Sequence, residues 1–344
     1  MIIYVLLLII LSLILYFKNY YKDNDLGYKL NIIIMLLFTI LRYDVGYDFM
    51  GYYNWATKST DYLEAYNRIE LINKIFLKIT WFINYPQVLI ILYGIFIIYY
   101  LYIAIKENSA NKTLSLYVYL GIPMFFLGSL SMMRQYMALS ITLYSVKYIK
   151  NNNILKYITT ICIATLVHKS AIVILPLYFL KKIKFNKFIL TFLLGGSFFF
   201  DKVLKFLIIK FIPNYSVYVE DHKGSGGEII YYLVIFLMLA TVMLSDRLRE
   251  QNSDNNIYIN AITIGSLVYI SLIKYGHAGI RGSIFYLIFY ILIIPQMILC
   301  FKQYKILNYI CYLAMMILFL ATIIISTKSD KSAYIPYQIY FLKN

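Results

Sequence analysis

Residues 87–105 read QVLIILYGIFIIYYLYIAI, a run without a single charge. A helix rises about 1.5 Å per residue, so a run of this length nearly crosses the ~30 Å hydrocarbon core of a bilayer. Apolar runs recur on both sides of it, at approximately 2–17, 29–41, 113–130, 134–149, 154–168, 170–181, 187–207, 229–245, 257–274, 282–301 and 306–326. The chain is 62% hydrophobic and 14% charged, where soluble domains carry about 25% charged residues. The expectation is an all-α integral membrane protein of about twelve spans, forming one polytopic domain over residues 1–344. No polar stretch is long enough to bury a core of its own. The run at 2–17 has no basic segment before it and no small-residue cleavage site after it, so it reads as a retained span. The 170–181 run contains Pro176 and is expected to be broken or re-entrant.

The formal net charge is +16. In a soluble protein that would suggest nucleic acid; here the lysines lie between spans, where they set orientation, and no nucleic-acid partner is expected. Part of the charge suits anionic lipids or lipid-linked phosphate. With the first loop placed inside, every inside loop is short and basic. Most outside Lys and Arg fall in the long stretches 42–86 and 201–228 or in the tail. Because the positive-inside rule applies to short loops, both termini are expected outside. Cys162, Cys300 and Cys311 lie in apolar runs without metal-like or disulfide-like spacing.

The outside stretch that opens at Arg42-Tyr43-Asp44-Val45-Gly46-Tyr47-Asp48-Phe49-Met50-Gly51-Tyr52-Tyr53 is the polar island of the first half. Asp44 and Asp48 would share a face if the segment were helical, and Gly46 and Gly51 would allow close backbone approach. Asp48 reads as a base, a sugar-hydroxyl acceptor or the partner of Arg42. Arg42 itself reads as an anion ligand or an interfacial cation. Apolar residues at helical spacing from Leu63 to Phe82 predict one amphipathic helix over about 62–83 on the outer leaflet. The glycine run 224–227 reads as a lid or a linker.

Three further polar points lie on the same side. Arg134, followed by Gln135, begins a helix, where backbone N–H groups and the dipole already favour an anion such as a diphosphate. His168 ends the sixth span and is the candidate general base, with Asp48 second. Arg281 repeats the Arg134 arrangement at the eleventh span. There is no HxxxH or HxxE, so no metal is expected. Tyr334 to Tyr340 reads as an aromatic tail sealing the outer surface.

The order Arg42-x-x-x-Gly46-x-Asp48-x-x-x-Tyr52, then Arg134-Gln135, His168-Lys169-Ser170-Ala171 and a late Arg281, resembles the EpsG family, Wzy-type polymerases of bacterial exopolysaccharide, capsule or O-antigen repeat units. Tyr47 departs from it, standing where a small polar residue is expected. The resemblance implies a glycosyltransferase of the cytoplasmic membrane, its active site facing outward, with a GT-C-like helical core. It would join undecaprenyl-diphosphate-linked oligosaccharides, which serve as both donor and acceptor, without nucleotide sugar, metal or other cofactor. It would work among membrane lipids, alongside a chain-length regulator and a flippase. Arg42, Arg134, Gln135, Arg281 and Tyr52 would bind substrate, and His168 or Asp48 would act as base. Fold-level analogy alone does not establish such chemistry. A membrane O-acyltransferase, a glycan ligase and a lipid-linked-glycan flippase are the competing readings.

Overall fold

The computed structural model describes residues 1–17, 25–59, 62–211, 228–327 and 332–342. The expected glycine lid at 224–227 lies outside them. In chain order the helices are α1 (Ile2–Tyr16), α2 (Leu26–Ile40), α3 (Phe49–Ala56), α4 (Tyr62–Arg68), α5 (Leu71–Ile83), α6 (Gln87–Asn108), α7 (Lys112–Gly121), α8 (Phe126–Ser131), α9 (Met133–Tyr144), α10 (Val146–Lys150), α11 (Ile154–Val167), α12 (Leu177–Leu180), α13 (Lys187–Ser197), α14 (Asp201–Phe211), α15 (Glu228–Gln251), α16 (Asn255–Leu272), α17 (His277–Leu287), α18 (Tyr290–Leu299) and α19 (Tyr304–Ser326). Two short strands, β1 (Arg42–Tyr43) and β2 (Gln338–Ile339), pair antiparallel, Arg42 opposite Ile339. This is an all-α membrane protein.

Among the described residues, four helices are long and apolar enough to cross a bilayer: Gln87–Asn108, Ile229–Gln251, Asn255–Tyr275 and Tyr304–Ser326. Ala278–Leu287 and Tyr290–Leu299 form a fifth candidate, bent by 53°. The other apolar runs are shorter helices, and several expected spans are interrupted. The run at 113–130 breaks after Gly121, where Pro123 interrupts the chain, and resumes as α8. The run at 134–149 breaks at Ser145, whose hydroxyl donates to the Thr142 carbonyl over 2.6 Å. The run at 187–207 breaks before Asp201. Residues 169–174 form a 3₁₀ turn ahead of α12, the interruption expected near Pro176.

The chain packs as two compact units. The first comprises Met1–Lys147, Ile158–Ile172 and Tyr309–Asn344, the second Tyr148–Tyr157 and Val173–Asn308. In the second, α16 is the central helix, packed by α13, α14, α15 and α17. Its Asn256 and Asn260 amides donate to the carbonyls of Leu180, Lys181 and Ile183, at and just beyond the end of α12, where helical donors run out. In the first unit, α6 is the axis, lying against α2, α5 and α9.

The first unit is closed by a strap. Residues 332–342 return to the opening stretch through the β1–β2 pair. The Tyr337 hydroxyl donates to the Phe38 carbonyl at 2.6 Å and the Tyr4 hydroxyl to the Tyr334 carbonyl at 2.5 Å. The Tyr47 ring, at the position that departs from the family pattern, meets Tyr334 edge-on at 5.7 Å. The stretch 42–48 is therefore a strand and a turn, so Asp44 and Asp48 do not share a helical face; Asp44 takes a left-handed conformation, φ 49°.

Gly46 has φ +109°, and a Cβ there would lie 2.2 Å from the Leu130 carbonyl oxygen. Gly51 meets nothing within 4 Å, so of the two glycines only Gly46 serves close approach. Gly46→Ala is expected to destabilise the protein by more than about 1 kcal/mol. Gly51→Ala, inside α3, should be neutral or stabilising by about 0.5–1 kcal/mol. Thermal unfolding of the two variants in detergent checks the contrast.

Candidate functional site

The break between α4 and α5 builds the site. The expected single helix over 62–83 stops at Arg68, and the chain turns at Ile69–Glu70 before α5 begins. Glu70 is the N-cap of α5 with an extended backbone (φ −74°, ψ 162°), but its carboxylate does not cap its own helix. It turns inward instead, its side chain only 9% exposed. One oxygen accepts from Arg134 Nη1 at 3.0 Å and from Asn73 Nδ2 at 3.0 Å. The other accepts from the Lys169 backbone N–H at 3.2 Å and faces His168 Nδ1 at 3.5 Å.

The partners arrive for reasons of their own. α11 ends at Val167, which leaves carbonyls without helical donors. Asn73 Nδ2 takes the Val167 carbonyl at 2.8 Å, while its own carbonyl oxygen accepts from the Tyr93 hydroxyl at 2.7 Å. His168 sits at the junction between α11 and the 3₁₀ turn at Lys169–Ile174. Arg134 is the second residue of α9, so its guanidinium leaves from a helix N-terminus, as the sequence leads one to expect. Its backbone N–H points at the Tyr52 hydroxyl at 3.4 Å, and its guanidinium lies over the Trp55 ring at 5.3 Å. Arg134 Nε is buried without a hydrogen-bond partner.

Burial alone would raise the Glu70 pKa. The contact with His168 and the charge of Arg134 outweigh it and hold the carboxyl down at about 2, from 4.5. A carboxylate depressed in the folded state contributes stability that is present above its unfolded pKa. That contribution is lost only as pH falls from about 4.5 through about 2. Glu70 is thus an anion at every physiological pH, and it keeps a positive partner beside it.

Arg42 is placed differently from the anion ligand that the sequence suggests. It is 0% exposed. Its Nε donates to the Val45 carbonyl at 3.0 Å, Nη1 to the Thr39 carbonyl, and Nη2 to the Leu130 carbonyl at 3.0 Å with Met133 Sδ at 3.1 Å. Burial draws its pKa down to about 10, so it remains a cation. It bridges the end of α2, the turn at Val45 and the end of α8, and the carbonyls leave no open side for a phosphate. Arg42→Met is expected to cost stability, at roughly 1–3 kcal/mol for each orphaned carbonyl. The measurement is folded protein recovered from membranes, which should fall before any specific activity does.

The remaining expected residues divide. Tyr52 and Gln135 are buried beside Arg134 on α3 and α9. Asp48 is exposed at the N-cap of α3. Arg281 belongs to the second unit and lies one turn into α17, which begins at His277 rather than at Arg281. The first unit therefore brings together Tyr52, Arg134 and His168, and adds Glu70, Asn73 and Trp55, which sequence reasoning passed over. Among the described residues, no group of three His, Cys, Asp or Glu side chains is arranged to hold a metal.

These features define a helical membrane protein with a buried carboxylate tying an arginine to a histidine outside its long apolar helices. The chain belongs to the EpsG family, whose family model matches residues 28–339 of 344. That family is associated with exopolysaccharide polymerisation, a glycosyltransferase-like activity. Comparison with curated proteins and with solved structures finds no significant match.

Proposed function

We propose that this protein is a polymerase of surface polysaccharide, joining undecaprenyl-diphosphate-linked repeat units at the outer face of the bacterial cytoplasmic membrane. The observation that carries this reading is the sharing of Glu70 between Arg134 and His168. Glycosyl transfer from a lipid diphosphate needs a base for the attacking hydroxyl and a cation for the departing diphosphate. One carboxylate sets both at once.

In the proposed step, Glu70 faces His168 Nδ1 and leaves Nε2 to act. Nε2 takes the proton of an acceptor sugar hydroxyl, and that oxygen forms a bond to the anomeric carbon of the donor. The bond from that carbon to the diphosphate oxygen breaks, and the electron pair leaves with the lipid diphosphate. Arg134 and the N-terminus of α9 meet its charge. The rest of the site orients; no cofactor is required. Asp48, exposed at a helix start, serves this scheme less well than His168.

The test is made in cells that depend on this chain for their polysaccharide. Deleting it should collapse glycans to single repeat units, and His168→Ala at normal abundance should do the same. Long chains of unchanged length on deletion would remove the polymerase reading. Finished polymer retained on the lipid would point to a ligase, and repeat units trapped inside the cell to a flippase.

A further inference from the structure

The chain contains two tryptophans; Trp55 touches the Arg134–Glu70–His168 cluster through Arg134, and Trp81 adjoins Trp55 about 16 Å along α5 from Glu70. Trp81 Nε1–H donates to the Trp55 backbone carbonyl at 3.0 Å, which locks α5 to α3. Trp55 carries the Arg134 guanidinium over its ring and meets Tyr52 edge-on at 5.1 Å. Trp81 is flanked by Tyr66 at 5.5 Å and Tyr62 at 5.8 Å, with Lys58 Nζ over its ring at 5.1 Å. Lys74 Nζ lies over the Tyr66 ring at 5.3 Å. Trp55, Tyr62, Tyr66 and Trp81 are all half-buried.

Indoles near a membrane surface commonly serve as interfacial anchors. The position of Trp81 argues for something else. The exposed apolar stripe of α5 is Leu71, Ile75, Ile79 and Phe82, with Phe82 91% exposed. At 100° per residue Trp81 lies well round the helix from that stripe, beside Lys74. An anchoring indole belongs on the stripe; this one turns toward α3 and α4 and spends its N–H on protein. What α3, α4 and α5 present is an aromatic floor with cations over its rings, adjoining the reacting groups at its Trp55 end.

A pyranose ring matches such a floor. One of its faces is a patch of C–H groups that stacks on an aromatic ring, and its rim is hydroxyls that hydrogen-bond charged side chains. Sites of this kind combine apolar lining with a few placed polar groups. We infer that Trp55 and Trp81 form a saccharide subsite on which successive sugar rings of the acceptor glycan stack, leading from Trp81 through Trp55 to the Arg134 side of the cluster. This inference rests on the polymerase reading above for its choice of ligand.

Because the chain has no other tryptophan, indole emission reports from this floor alone. The purified full-length protein in detergent is titrated with repeat-unit oligosaccharides released by partial hydrolysis of the polysaccharide made by the cells that carry it. A saturable change in indole emission is expected. Calorimetry should show about tenfold weaker binding in Trp81→Ala, the loss of one ring stack. Trp81→Phe keeps a stacking face and, if Trp81→Ala fails to fold, supplies the comparison: it should bind within a few-fold of the parent. Silent emission, or equal affinity in Trp81→Ala, overturns the subsite. The two readings fail separately. A silent titration in a protein whose deletion still collapses the glycan sinks the subsite alone. Unchanged glycan length on deletion, with saturable emission, sinks the polymerase alone.

Discussion

Glu70→Gln is expected to leave single repeat units on the lipid carrier in cells that hold normal amounts of the protein. Glutamine keeps the volume, and its one amide oxygen accepts either from Asn73 Nδ2 or from the Lys169 N–H, which the carboxylate serves with its two separate oxygens. What it removes is the charge that pairs Arg134 at 3.0 Å and faces His168 at 3.5 Å. General acid–base groups contribute about 10²–10⁴-fold, so turnover should fall at least about 100-fold. Part of the effect is thermodynamic, because breaking a buried ion pair costs about 3–5 kcal/mol when one charge is left uncompensated. Unfolding in detergent measures that share, and Glu70→Asp, which restores the charge, separates it from the loss of chemistry. The pH dependence gives a second readout. Glu70 stays ionised down to about pH 2, so parent and Glu70→Gln should differ throughout about pH 4–9. Unfolding stabilities that converge near pH 5 would mean that the carboxylate titrates there, and the assignment would be wrong.

Arg134→Lys should abolish polymerisation with membrane insertion unchanged. Lysine preserves the positive charge, so a purely electrostatic role in topology would survive. Arginine here does two things that need a plane: it donates from Nη1 to Glu70 at 3.0 Å and lies over Trp55 at 5.3 Å. An ammonium reaching the same carboxylate cannot also present a flat face and a fork toward a diphosphate. Loss of one preorganised donor to a developing anion costs about 10²–10³ in turnover. Combined with Glu70→Gln, the effect should be far from additive, because the two residues act as one unit. Glycan of parental length in Arg134→Lys, read on a gel, would remove Arg134 from the leaving-group role.

Much of this was legible in the residues, and the misses have physical causes. The apolar run at 87–105 is a full-length helix because nothing in it interrupts the pattern. The helix N-terminus at Arg134 followed from the polar break before an apolar run. Glu70 escaped notice for two reasons. Glutamate is a good helix former, and the residues favoured at N-caps are Ser, Thr, Asp and Asn. Neither propensity nor capping preference marks a break there, and Ile69 and Ile72 carry the apolar period straight through it. The signal lay in partners distant along the chain, Arg134 and His168, which only folding brings close. Arg42 was misread because a cation beside carboxylates looks alike whether it meets substrate or its own backbone. Deciding between them takes the carbonyl of Leu130, 88 residues away. The interruption after Gly121 had a local sign, Pro123; that at Ser145 had none stronger than a hydroxyl returning to the preceding turn.

The strap formed by residues 332–342 sets an order of events during synthesis. Arg42 leaves the ribosome about three hundred residues before Ile339, its partner in the β1–β2 pair. Chains fold as they emerge, N-terminal portions first, so the turn around Gly46 must wait, unlatched, while every intervening helix is made. The stretch at 42–48 is completed by a segment of eleven residues. A nascent or prematurely stopped chain would therefore hold its helices with the stretch at 42–48 unlatched. Quality control that probes that stretch could tell a finished chain from an unfinished one.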